Sequence, residues 1–446
     1  AAKDYKPDTI FALASGKGRA GVAVLRLSGP KSTNILELLT KKNIPAARTA
    51  HLADFFDPET SDLIDSGVTI WFKGPKSFTG EDVAELHVHG GNAILSRFYN
   101  ILDGLEGVRA AEPGEFSRRA FEHGKMDLTQ AEGLNDLVLA ETEAQRKQAL
   151  SQLRGALSEV YGAWRATLLT NLAKIEAVID FSEEEIPENL LLEVKQDVRR
   201  LKTDIEARLA DWGRGEAIRS GYRIAIVGSV NVGKSSLLNA LACEEKAIVS
   251  DIPGTTRDVI EVHMDLGGYS AILLDTAGLR RARGPIEAEG VKRAEAAAKT
   301  ANLRLVLVEA KTWPKAPKEA KKHIGEDGIL VLTKADLTRK RPKGIIAISS
   351  KTGKGLKRLL RAIERRMVLA LEAAEPPVIT RARHRKALEE AISSLDRFLK
   401  NEESATDPAI LAEELRMASR ALGRVTGAIA VEEVLGEIFS RFCIGK

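Results

Sequence analysis

At 446 residues the chain exceeds what one hydrophobic core serves, so about two to four domains are expected. Hydrophobic residues at 44% and charged residues at 29% exclude a disordered chain, and a net charge of +4 permits an RNA partner without demanding one. The two cysteines, Cys243 and Cys443, exclude a disulfide framework or a cysteine-rich zinc site.

In chain order, residues 1–123 mix short β-rich runs with helices. Strands are expected over Thr9–Ala14, Gly21–Leu27, Gly67–Phe72 and Val83–His89, and helices over Lys31–Thr40 and Asn92–Leu102. This reads as an N-terminal α+β domain. Residues 124–219 turn helical: Leu157, Val160, Trp164, Leu168, Leu172, Ile175 and Ile179 recur three or four apart. Pro187 interrupts that run, and a second long helix is expected over Leu191–Ile218.

Residues 220–375 alternate strand and helix. The strands are Arg223–Val227, Val259–Asp265, Ser270–Leu274, Leu303–Val308, Ile329–Leu332 and Ile345–Ile348. The helices include Lys234–Leu241, Ile286–Lys299 and Lys354–Glu372. Residues 376–446 are helical again. The expected fold class is multidomain α/β and α, with a βαβ domain inserted into a discontinuous helical domain. Ala1–Asp8 lacks the apolar core of a signal peptide and no apolar run reaches about 18 residues, so no membrane insertion and a cytoplasmic location are expected.

The chemistry concentrates in residues 220–375. Gly228-Ser229-Val230-Asn231-Val232-Gly233-Lys234-Ser235 fits G-x-x-x-x-G-K-S between a strand and a helix. Its glycines let backbone N–H groups turn toward phosphate, where the helix N-terminus adds a positive field. Lys234 is placed for the outer phosphates, and Ser235 supplies an oxygen for Mg²⁺. Asp275-Thr276-Ala277-Gly278 follows a strand, where Asp275 serves the Mg²⁺ shell and the Gly278 N–H senses a γ-phosphate. Thr333-Lys334-Ala335-Asp336 takes the place of the guanine-selecting N-K-x-D motif with Thr for Asn, and Ser349-Ser350-Lys351 resembles the loop on the other side of the base. These motifs point to a GTP-binding and GTP-hydrolysing P-loop domain. Gly254-Thr255-Thr256-Arg257-Asp258 stands where a first switch belongs.

The Gly254–Asp258 run, Asn231 in the P-loop, Leu279 after Gly278 and the closing Cys443-Ile444-Gly445-Lys446 together resemble the tRNA modification GTPase MnmE (TrmE) family. So do Pro75–Asp82 with Glu85-Leu86 and His89-Gly90-Gly91, and the Pro113-Gly114-Glu115-Phe116-Ser117 and Lys125-Met126-Asp127-Leu128 junction. The resemblance covers the whole chain and is most specific at its C-x-G-K end.

It implies a homodimeric, K⁺-stimulated GTPase with a Ras-like domain inserted between helical segments. GTP contacts would come from Asn231, Val232, Gly233, Lys234, Ser235 and Ser236, and from the loop Ser250, Asp251, Ile252, Pro253, Gly254, Thr255 and Thr256. Asp275, Thr276, Ala277, Gly278, Thr333, Lys334, Asp336, Ser349, Ser350 and Lys351 complete the implied set. Ser235 and Thr256 would take Mg²⁺. Asn231, Ser250, Ile252 and Thr255 would take the K⁺ that replaces an arginine finger, since Leu279 stands where many GTPases carry glutamine. Glu287 would orient water.

The resemblance further implies that Arg26, Glu85, Lys125 and Lys446 bind 5-formyl- or 5,10-methylene-tetrahydrofolate. An FAD-dependent partner, MnmG, and tRNA would join in modifying position 5 of the wobble uridine. Cys443 is either a participant in that chemistry or a small buried hydrophobe, and Cys243 reads as packing. His87 and His89 share a strand face without a third metal ligand. Arg381, Arg383, His384, Arg385 and Lys386 read as a solvated face or a tRNA phosphate contact. The rival readings are a ribosome-assembly GTPase, for which neither a KH-type module nor a second P-loop is found, and a GTP-binding scaffold without turnover.

Overall fold

The structure, a computed structural model, describes residues 8–16, 18–180, 188–229, 231–248, 261–275, 299–315, 325, 327–338, 342–373, 379–400, 407–429 and 432–445. Its contacts divide the chain into two units, one of residues 1–135, 152–169 and 419–446, the other of residues 136–151 and 170–418.

The first unit opens with β1 (Thr9–Leu13), β2 (Ala23–Ser28), α1 (Ser32–Thr40), β3 (His51–Phe56), β4 (Leu63–Phe72), β5 (Val83–Val88), α2 (Asn92–Asp103) and β6 (Val108–Ala110). The six strands form one sheet in the order β3-β4-β5-β2-β1-β6. On β2, Ala23, Leu25 and Leu27 are buried while Val24 and Arg26 are half-exposed, the alternation of a sheet with one face on a core. That core gathers Phe11, Leu25, Leu86, Phe55 and Phe98 under α1 and α2. Two strands go beyond the sequence expectation. β6 has three residues, too few for a period, and β3 becomes a strand by pairing with β4. The Asp57 carboxylate, accepting from the N–H groups of Glu59 and Thr60, turns the chain between them and lengthens β4 back to Leu63.

Next come α3 (Glu115–Glu122), α4 (Leu128–Leu139) and, late in sequence, α13 (Glu432–Phe439). Leu128 and Ala131 of α4 meet Leu435, Phe439 and Phe442 in a small core. The last residues lie along β1: a Cβ on Gly445 (φ 94°) would stand 2.3 Å from the Leu13 carbonyl oxygen, so only glycine fits.

Arg119 of α3 is 4% exposed and pairs with Asp8 (2.6 Å), Glu81 (3.1 Å) and Glu115 (3.1 Å). Arg119→Ala leaves these carboxylates short of a cation, so a loss of about 3–5 kcal/mol is expected in urea unfolding. Burial pushes the Asp8 and Glu115 carboxyls up, but hydrogen bonds from Arg109 and the nearby guanidiniums outweigh it, and both titrate below the ordinary carboxylate range. Their contribution is therefore present above the unfolded pKa and lost as pH falls through the lower folded value. The variant should lose stability less steeply than the native chain under acid. A loss below 1 kcal/mol, or an unchanged acid slope, would contradict this.

The second unit contains α5 (Glu143–Leu153) in part, α7 (Glu188–Ala210), α8 (Trp212–Ser220), β7 (Tyr222–Gly228), α9 (Lys234–Ala242), β8 (Glu261–Leu266) and β9 (Tyr269–Asp275). It continues with β10 (Leu303–Glu309), β11 (Gly328–Thr333), β12 (Ile346–Ala347), α10 (Leu356–Leu371) and α11 (Ala382–Lys400). The helices α4, α6 (Ala156–Asp180) and α12 (Pro408–Thr426) divide between the two units. The sheet order is β12-β11-β10-β7-β9-β8, parallel except for β8. Ile224, Ala225 and Ile226 of β7 are all fully buried, as a central parallel strand covered on both faces requires.

The helix expected over Leu191–Ile218 is instead two. Asp211, at φ −86° and ψ 1°, ends α7 and starts α8, and its carboxylate takes the Arg214 guanidinium at 2.8 Å. The expected break at Glu183–Pro187 and most of the expected helix Ile286–Lys299 lie outside the described residues. No helix among the described residues is long and apolar enough to cross a membrane.

Candidate nucleotide site

The P-loop follows from where β7 ends. A Cβ on Gly228 would meet the Leu307 carbonyl oxygen and a Val232 methyl at 2.9 Å, so the strand leaves the sheet through glycine. Asn231 (φ 59°) and Gly233 (φ 104°) adopt left-handed backbone, which wraps the loop before α9 begins. Lys234 is 8% exposed, and its ammonium donates to the carbonyls of Gly228 (2.7 Å) and Ser229 (2.8 Å). The lysine is thus curled over the loop that would receive phosphate. Ser236, two residues further along α9, is exposed.

Ser235 Oγ donates to Asp275 Oδ2 at 2.9 Å, and Asp275 is buried at the end of β9 beside β7. A hydroxyl and a carboxylate meeting at the phosphate end of the sheet form a hard-oxygen pair suited to Mg²⁺.

The base-side motifs are tied to the same loop. Thr333 ends β11 with 3% exposure, and its hydroxyl donates to the Val232 carbonyl at 2.6 Å. Threonine thereby anchors this motif to the P-loop through one hydroxyl. Lys334 is left-handed (φ 54°), with its ammonium 3.6 Å from Glu309. The Ala335 N–H donates to the Ile348 carbonyl at 3.0 Å, joining the Thr333–Asp336 turn to the Ser349-Ser350-Lys351 loop. A hydrogen bond from the Ser349 side chain holds the exposed Asp336 carboxyl below its ordinary range, so it stays an ionised acceptor.

The structure therefore brings together Asn231, Val232, Gly233, Lys234, Ser235, Asp275 and Thr333, with Lys334, Asp336 and Ser349 on the adjoining turns. Ser250, Asp251, Ile252, Pro253, Gly254, Thr255, Thr256, Thr276, Ala277, Gly278, Glu287 and Lys446 lie outside the described residues.

In the first unit Arg26 and Glu85 pair at 2.9 Å across β2 and β5. The Arg26 guanidinium lies 5.5 Å from the Phe78 ring and 5.8 Å from that of Phe116. Sequence reasoning missed these two rings as site elements, although each sits inside a quoted motif; aromatic stacking adds roughly 0.5–2 kcal/mol of positioning to the cation. Lys125 approaches the same 74–82 loop, its ammonium donating to the Pro75 carbonyl at 2.8 Å.

Other expectations are corrected. Both cysteines are exposed: Cys243 follows α9 at its C-terminal end and does not pack, and Cys443 is no buried hydrophobe. The Cys443 carbonyl accepts from the Gly114 N–H at 3.4 Å. The basic run Arg381–Lys386, at the start of α11, is a solvated face only in part: Arg385 and Lys386 are exposed. Arg381 pairs with Asp136 (2.6 Å), His384 is fully buried, and Arg385 pairs with Glu389 (2.7 Å) beside the Trp212 ring. His87 lies 3.5 Å from Glu85 and His89 2.8 Å from Asp65. Among the described residues no three His, Cys, Asp or Glu converge as a metal set.

Known proteins resemble the chain along its length. A profile described as "MnmE helical domain" matches residues 128–443, and one described as "GTP-binding protein TrmE N-terminus" matches residues 9–125. The tRNA modification GTPase MnmE of Parvibaculum lavamentivorans is 52% identical, covering 98% of this chain and 100% of that protein. The MnmE of Paramagnetospirillum magneticum is 47% identical over the same shares. The mitochondrial 5-taurinomethyluridine-[tRNA] synthase subunit GTPB3 of Danio rerio is 43% identical, covering 98% of this chain and 93% of its own. With nucleotide-loop geometry and full-length similarity in agreement, the chain belongs to the tRNA modification GTPase MnmE family.

Proposed function

We propose that the chain is a K⁺-stimulated GTP hydrolase acting in tRNA wobble-uridine modification. The observation that carries this is the convergence of Lys234, the Ser235–Asp275 pair and the Thr333–Val232 tether on one P-loop.

Lys234 leaves its loop carbonyls for the β- and γ-phosphates, where its charge counts most as negative charge builds toward the transition state. Asp336 accepts from the guanine edge, and Lys334 lies along the ring. Ser235 and Thr256 would hold Mg²⁺, and Asn231, Ser250, Ile252 and Thr255 would hold K⁺; these cations would supply the positive charge that offsets charge on the phosphates. Glu287 orients water. Leu279 can neither place water nor supply positive charge, which fits activation by a cation.

The proposed layout is a folate-binding and dimerising domain over 1–123, helical segments over 124–219 and 376–446, and the GTPase domain over 220–375. Arg26, Glu85, Lys125 and Lys446 receive the tetrahydrofolate one-carbon donor. The flat, stacked Arg26 suits an extended ring system, and Cys443 stands near the chemistry. The protein works as a cytoplasmic homodimer with FAD-dependent MnmG, adding an aminomethyl or carboxymethylaminomethyl group to uridine 34 of tRNA.

Steady-state GTP hydrolysis in K⁺ and in Na⁺ at matched ionic strength tests this. About tenfold or greater stimulation by K⁺, abolished in Asn231→Ala, is expected. Equal slow rates in both salts would sink the cation mechanism and favour the scaffold reading.

A further inference from the structure

We infer that the outward face of α10 in the GTPase domain docks the phosphate backbone of RNA. The inference rests on the tRNA-modification reading and assigns it a surface.

Charge is concentrated here. Residues 351–366 carry seven of the chain's 67 Lys and Arg but one of its 63 Asp and Glu, a net of +6, so the other 430 residues sum to −2. The fold turns this bias outward. Leu356, Leu359, Leu360, Ile363, Met367 and Leu371 bury one side of α10, and Lys357, Arg358, Arg361, Arg365 and Arg366 are exposed on the other. Lys357, Arg358, Arg361 and Arg365 make no ion pair with any described residue. Glu364, the lone acid, is matched by Lys246 at 3.3 Å.

Lys357, Arg361 and Arg365 are spaced i, i+4, i+8, so they form a row with steps of about 6 Å along the axis. A line of cations on one rigid element suits a strand of phosphates, each neutralised contact releasing counterions. A protein partner would want an apolar anchor between them; from Lys357 to Arg366 the large apolar side chains turn inward, and the exposed Leu369 stands one turn beyond Arg365, at the end of the row and not within it. Beside the row runs a cleft of about 940 Å³ with Glu244 and Glu245 among its lining residues, and these acids repel phosphate and confine it to the α10 side. By contrast, the more conspicuous run on α11 spends Arg381 and Arg385 on Asp136 and Glu389.

The test is binding of an unmodified tRNA transcript by the full chain and by its Lys357→Gln/Arg361→Gln/Arg365→Gln variant across a salt series. GTP hydrolysis without RNA reports that the variant is folded and should not change. Expected is an affinity loss of about 10- to 100-fold at moderate salt, with the slope of log K against log salt reduced by about 2–3. Native affinity and slope in the variant would overturn the assignment while leaving the tRNA reading intact. Loss of binding to polyglutamate with tRNA binding retained would also overturn it, giving the face to an acidic protein. Absence of tRNA binding by the native chain would sink the tRNA reading itself, and the docking face with it.

Discussion

Lys234→Ala is expected to lower GTP turnover about 100- to 1000-fold, the scale for removing one preorganised charge from a transition state. Its ammonium donates to the Gly228 and Ser229 carbonyls of its own loop, which holds it at the mouth of the P-loop. In the proposed mechanism its partner is the phosphate chain, whose outer oxygens gain charge as the bond to the leaving group breaks. The loss should fall mainly on the catalytic step, with a smaller loss in binding. Single-turnover hydrolysis at saturating GTP measures it directly. Turnover within threefold of native would mean that the P-loop lysine is not the phosphate contact.

Asp336→Asn should lower GTP affinity by about 100- to 1000-fold and allow xanthosine triphosphate to bind in its place. In the proposed binding mode the carboxylate accepts from the guanine N1–H and amino group; an amide would offer a donor where guanine also donates, but would match the oxygen of xanthine. Because Ser349 holds the Asp336 carboxyl below its ordinary range, guanine selectivity should stay level from neutral into mildly acidic pH and fail only when the carboxyl takes a proton. Competition between the two triphosphates, titrated on both forms, reads the exchange. A variant that keeps its preference for GTP would place the base elsewhere.

Much of what depends on local pattern was legible in the sequence, the break at Asp211 being an exception. The β2 alternation, the apolar run of β7 and the six strands around the P-loop lie within a few residues of where periodicity puts them. So does the glycine spacing that frames Lys234. Distant partners were not legible. Threonine at 333 reads as a departure from the guanine motif, and only the fold brings its hydroxyl to the Val232 carbonyl. Phe78 and Phe116 lie far apart in sequence and meet over Arg26 through the sheet and α3. The Arg381–Lys386 run counts as five basic residues in sequence, but burial and Asp136 change what they are. Cysteine exposure likewise follows from packing at helix ends, which composition does not reveal.

The seating of Gly445 along β1 has a consequence for biosynthesis. Phe439 and Phe442 cover Leu128 and Ala131, and they leave the ribosome after the whole GTPase domain. At about 5–20 residues per second, the stretch between Asn135 and Ser419 takes roughly 15–60 s to synthesise. During that interval the first unit waits with an uncovered apolar patch while the nucleotide domain can already fold. A stalled or prematurely stopped chain would thus carry a competent P-loop and an unfinished N-terminal unit, a species for chaperones and proteases to sort.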